Sequence, residues 1–318
     1  MFLPIMITGW LKLKRHKFAI LPFFLLVFFL FSCRTVPPTP YEEDRYIPLE
    51  AGAVVYIFAD VTAAKPILQL LPIPEMNNRQ VRQMLERTHT AAAAIFPQES
   101  GRRFQLVSQG NYPSFRAGIA LRCNRHWRRF NSDEGHRFWH TSTGMLSLVL
   151  NSRQAFVAAW TDDTPGDPIT PAPGVRYPEG LGDFRKGAVI SFWLENPGPR
   201  LNSIFDTMGI PLQLPAERIF ASLFPAEAEQ KYEALIRMRV PTAIQARGLL
   251  TLFSIARNFA APPMERDAAD YGLRSINELL AAVLFANPLT LNDRDLNIKT
   301  AALSEQEIAL LFSLFSIH

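Results

Sequence analysis

Two stretches 128 positions apart constrain this chain more than any single motif: "IFPQESGRRFQLVSQGNYP" (95–113) and "LFPAEAEQKYEALIRMRVP" (223–241). Aligned without a gap, Phe96, Pro97, Glu99 and Pro113 fall on Phe224, Pro225, Glu227 and Pro241. Leu106 faces Ala234, with Leu235 beside it. Two more pairs occur in the same order. "AGAVVYIFAD" (51–60) and "KGAVISFWLE" (186–195) both set Gly-Ala before a β-prone run that ends on an acid. "LSLVLNSRQAFVAAW" (146–160) lies over "IKTAALSEQEIALLF" (298–312), with Ser152 and Gln154 on Ser304 and Gln306. Ordered self-similarity of this kind is the mark of an internal repeat, so the two halves are expected to fold alike.

One unit then reads as follows. Residues 53–59 are strongly β-prone and suit a buried strand. "KPILQLL" and "NNRQVRQMLERTHTAAAAIF" read as helices, the second from its Asn start and its good helix formers. "RRFQLVSQG" reads as a strand. "SFRAGIALRCNRHWRRF" reads as a helix, because Phe115, Ile119, Cys123, Trp127 and Phe130 recur every three to four residues. "GMLSLVLNSRQAFVAAW" gives two strands around the turn Asn151-Ser152-Arg153. In the second unit "TAIQARGLLTLFSIARNF" is the matching helix, and the apolar "EIALLFSLFSI" (307–317) is placed as the last strand with an extension. The order β-α-α-β-α-β-β does not alternate strictly. It points to an α+β fold of two tandem related units, with antiparallel sheets and helices packed on one face.

The ends of the units are set by composition. Residues 1–32 carry Lys12, Lys14, Arg15 and Lys17 and no acid, and Phe18–Phe31 is uncharged. A cationic stretch before a short apolar one is the layout of a signal peptide. As a helix, the apolar part spans only about 21 Å, less than a bilayer core. It ends in "LFSC", in which Leu30, Ser32 and Cys33 match a bacterial lipobox and Phe31 departs from it. Cys33 is therefore the expected lipid attachment site, where acyl chains such as palmitate would hold the protein to a membrane. Residues 33–48 read as a tether, 49–160 as the first unit, and 183–318 as the second. Between the units, 161–182 forms a linker with five prolines and three glycines in "TDDTPGDPITPAPGVRYPEG".

Charge and cysteine usage agree with export. The net charge of +4 is that of the leader, so the rest of the chain is formally neutral, which argues against a nucleic-acid partner. If Cys33 is acylated, Cys123 is left without a disulfide partner, and the fold rests on its own core.

Few residues suggest chemistry. Cys123, His126, His136 and His140 form C-x2-H-x9-H-x3-H, residue types that suit zinc. The spacing matches a finger only loosely, nothing like it occurs in the second unit, and Cys123 falls on the apolar stripe of its helix. No metal and no cofactor is expected. Arg122, Arg125 and Arg129 share one face of that helix and are the candidate anion-binding residues, for lipid headgroups or an anionic envelope polymer. No G-x-S-x-G, H-E-x-x-H, P-loop or G-x-G-x-x-G is present. No catalytic residue is assigned.

"GAVVYIFADVTAAKPILQLLP", "AAAAIFPQESGRRFQL", "GNYPSFRAG" and "FWHTS" give the chain a resemblance to treponeme-type envelope lipoproteins of spirochaetes. The resemblance implies an exported, lipid-anchored protein of the cell envelope and implies no activity. A membrane-anchored binding or assembly module, with an envelope protein or polymer as partner, is the expected function. The alternative is an envelope hydrolase with a site between the units, drawing on Asn111, Tyr112, His136 and acids such as Glu99 and Glu227.

Overall fold

The computed structural model describes residues 49–50, 52–71, 79–97, 102–133, 135–142, 145–160, 166–169, 186–199, 202, 213–228, 230–259, 283 and 287–315. The leader, Cys33, the tether, Glu99 and most of the linker lie outside the described residues.

Residues 44–318 form one compact unit built on a single antiparallel sheet. Its strands are β1 (Val55–Asp60), β2 (Thr88–Ile95), β3 (Arg102–Gly110), β4 (Trp127–Asn131), β5 (Arg137–Thr141), β6 (Leu146–Leu150) and β7 (Gln154–Trp160) from the first half. The second half supplies β8 (Ile190–Glu195), β9 (Arg218–Pro225), β10 (Lys231–Arg239), β11 (Thr290–Asn292), β12 (Asp295–Lys299) and β13 (Leu303–Ser304). Across the sheet the order is β11-β12-β10-β9-β8-β1-β2-β3-β7-β6-β5-β4, and β13 pairs with β10. The described helices are α1 (Val61–Leu70), α2 (Arg79–Arg87), α3 (Ser114–Cys123), α4 (Ala243–Phe259) and α5 (Glu305–Phe315).

The halves meet at the middle of this sheet. β1 pairs with β8, Ile57 opposite Phe192 and Tyr56 opposite Trp193. Outward from that pair the strands run β1-β2-β3-β7-β6 on one side and β8-β9-β10-β12-β11 on the other. The expected separate sheets are thus one sheet, in which the first strand of each half satisfies the edge of the other.

Register sorts the side chains into two cores. On one face Ile190, Leu223 and Tyr232 meet Ala64 and Ile67 of α1 and Ile308 of α5. The same face continues through Met238 and Leu296 to Ala246, Leu249 and Phe253 of α4. Strand alternation places Tyr56, Phe58, Trp193 and Phe220 on the opposite face, with Ala92, Ala94 and Val107. There Leu49, Ala53 and Ile169 cover the aromatic cluster. Trp193 stacks on Phe220 with ring centres 5.6 Å apart and lies 5.2 Å from the Tyr56 ring. Gln105, fully buried, holds the covering segments in place. Its Oε1 accepts from Glu50 N–H at 2.8 Å, and its Nε2 donates to the Pro168 carbonyl at 3.3 Å.

Several sequence expectations need correction. The alanine run after Arg87 is strand β2, not helix. Ala92 and Ala94 there pair with Phe58 and Tyr56, and small side chains leave room for the aromatic cluster, so packing overrides helix propensity. The C-terminal run is helix α5, not strand. Ser304 and Glu307 form a capping box, with Ser304 N–H donating to Glu307 Oε2 at 2.8 Å and Glu307 N–H to Ser304 Oγ at 3.3 Å. The match of 146–160 to 298–312 therefore sets a hairpin against a strand end and a helix. The second-half hairpin in the place of β6–β7 is β11–β12.

Candidate interaction surface around strand β4

The cationic stretch from Arg122 to Arg129 is not one helix. α3 stops at Cys123, where Asn124 turns extended (φ −93°, ψ 112°), and its Oδ1 accepts from His126 N–H at 3.0 Å. An Asn that bonds backbone two residues on is a turn former, and the β-prone Trp127–Asn131 then pairs with β5. Arg122 consequently sits at the helix end, Arg125 in the turn, and Arg128 and Arg129 on an outer strand of the sheet. All four are exposed, as is Arg137 on β5. Arg122, Arg125 and Arg129 therefore share a corner of the fold rather than a helix face.

The apolar stripe expected on that helix is also redistributed. Phe115 and Ile119 of α3 stand 71% and 49% exposed, Trp127 and Phe130 belong to β4, and Cys123 is an exposed free thiol. α4 carries a comparable outer row, Ile244, Leu252 and Ile255, opposite its buried Ala246, Leu249 and Phe253.

The C-x2-H-x9-H-x3-H residues do not converge on a metal. Cys123 and His126 are exposed around the end of α3, and among the described residues no group of three ligand-type side chains is placed to hold an ion. His136, ahead of β5, sets Nδ1 3.0 Å from Asp167 Oδ2, linking the β4–β5 hairpin to the segment between the halves. His140 is buried, with Nδ1 2.9 Å from Ser147 Oγ, to which Trp160 Nε1–H also donates at 2.9 Å. Both histidines are occupied in holding structure.

The residues suggested for a hydrolase are dispersed as well. Tyr112 is buried, its hydroxyl donating to Ser108 Oγ at 2.8 Å and lying 2.9 Å from Thr88 Oγ1. Asn111 Nδ2 lies 3.3 Å from His89 Nε2. Glu227 is exposed in the turn after β9. β7 and β6 separate the strand leading to Tyr112 from β5, which follows His136. A depression of about 250 Å³ is lined by Asn196, Leu214, Glu217 and Pro241, in the second half rather than between the halves.

This architecture, a large antiparallel sheet with a few helices among the described residues, is similar to that of the solved structures of TP0453. The family model described as "Outer membrane-associated lipoprotein TP0453", of Treponema pallidum, matches residues 44–154, a little over a third of the chain. Crystal form III of TP0453 is similar with a TM-score of 0.55 at 12% identity, covering 84% of this chain and 98% of that one. Crystal form I gives 0.51 at 15%, covering 85% and 98%. At such identities the structures speak for the fold alone, whereas the family match bears out the treponeme-type resemblance and agrees with a cell-envelope location. Comparison with curated proteins finds no match.

Proposed function

We propose that the chain is a lipid-anchored envelope protein made of two related units, with a binding or assembly role. The observation that supports this most is the junction between the halves. It is a continuous β1–β8 ladder, packed by the Tyr56–Trp193–Phe220 cluster on one face and by α1 and α5 on the other. A site between the units needs a cleft there, and the described residues fill that space with core. Binding is left to outer surfaces, and two stand out: the arginine corner at β4 and the apolar outer row of α4. A domain tethered through Cys33 would meet its partners at a membrane surface, where both kinds of surface are useful.

The anchor is tested by metabolic labelling with a fatty-acid analogue in wild type and Cys33→Ala. Label in the wild type alone supports the reading. Equal labelling of both, or of neither, rejects it.

A further inference from the structure

We infer that the outer edge of β4 is a docking site for an extended acidic segment of another envelope protein, which adds to the sheet as an antiparallel strand. His126 accepts from Ser142 N–H at 2.7 Å and Ser132 N–H donates to the His136 carbonyl at 2.8 Å, so even-numbered residues of this strand face β5. Alternation then turns Arg129 and Asn131 outward, each with a backbone N–H and carbonyl that no described residue pairs with. Trp127 presents only its carbonyl, since its N–H donates to the Asn124 carbonyl at 3.0 Å. An open row of this kind is a template for another strand.

Charge selects the occupant. Arg122, Arg125, Arg128, Arg129 and Arg137 are exposed, and none is in an ion pair with a described residue. Arg128 and Arg129 project to opposite faces of the strand, so an added strand with acids at neighbouring positions can meet both. A second copy suits the edge poorly, because pairing centred on Arg129 sets it against its own like charge and brings two arginine corners together. The same arginines that discourage neutral strands admit an acidic one. The inference rests on the binding role proposed above, while acylation of Cys33 is independent of it.

The test uses the full chain in detergent and a fluorescent, β-prone peptide of alternating Glu and Val, followed by anisotropy. Its comparison peptides carry Lys in place of Glu, or N-methyl groups on alternate amides. Binding of the Glu peptide is expected, weakened at least about tenfold in Arg128→Glu/Arg129→Glu and retained in Arg128→Lys/Arg129→Lys. The Lys peptide should not bind, and N-methylation on the side facing β4 should abolish binding. No binding of the Glu peptide up to about 1 mM overturns the proposal, as does equal binding by every N-methylated form. Phosphatidylglycerol vesicles that lose affinity in the Glu variant while peptide binding does not would assign the corner to headgroups instead, and also overturn it.

Discussion

Gln105, at the centre of the first half, accepts through its buried side-chain oxygen from the backbone of Glu50, fifty-five residues earlier. One amide thus fixes the segment that leads into β1 and, through its nitrogen, Pro168 of the segment between the halves. Gln105→Leu removes both bonds and leaves two backbone groups without their partner. The expected loss is about 2–3 kcal/mol in denaturant unfolding, with faster proteolysis around residues 166–169.

Trp193 belongs to the second half and packs against Tyr56 of the first. Trp193→Ala should cost about 3–5 kcal/mol, the range for truncating a large buried aromatic. Calorimetry should still show one transition, since the ladder between the halves remains. Two separated transitions would contradict the single-sheet account.

Alkaline pH should weaken the fold through two tyrosines. Burial raises the Tyr56 hydroxyl above its ordinary value of 10.0, with Glu195 and Glu50 adding to the rise against opposing backbone hydrogen bonds. Burial, then Glu305, raises Tyr232 in the same direction. Both protons are held more tightly folded than unfolded. Their contribution is complete below the unfolded value near 10 and is lost as pH rises from there through the folded values. Urea midpoints should fall as pH rises above about 10, and less steeply in Tyr56→Phe.

Cys123 ends α3 with its thiol in solvent. A bulky maleimide should modify it in the native protein, with a change in stability within about 0.5 kcal/mol. Labelling only after denaturation would restore the buried position that the helical stripe suggests.

Ser304→Ala removes one side of the capping box of α5 and should lower stability by about 1 kcal/mol. Ser304→Thr, which keeps a hydroxyl to donate to Glu307 Oε2 and accept from its N–H, should recover most of it.

Much of this fold is legible from local pattern. β1, β3, β8, α4 and the β6–β7 hairpin lie where β-branched runs, helical spacing and the Asn151 turn put them. What misleads is context that acts at a distance. The alanines of β2 look helical until the aromatic rings above them are known, and Cys123 looks buried only if the helix runs on through Trp127. Asn124 was the available signal for the break, and Ser304 with Glu307 was the signal for α5. The arginine corner shows the same limit, since spacing identifies the cations but only the strand order puts them on an edge.

The central β1–β8 pair also bears on how the protein matures. A chain nicked between Trp160 and Lys186 would not come apart into two proteins, because the ladder and its aromatic packing join the pieces without the linker. A chain that stops before β8, by contrast, would leave the middle strand of the finished molecule bare, ready to adhere to any neighbour offering an edge. Maturation is therefore forgiving of late cleavage and intolerant of early termination.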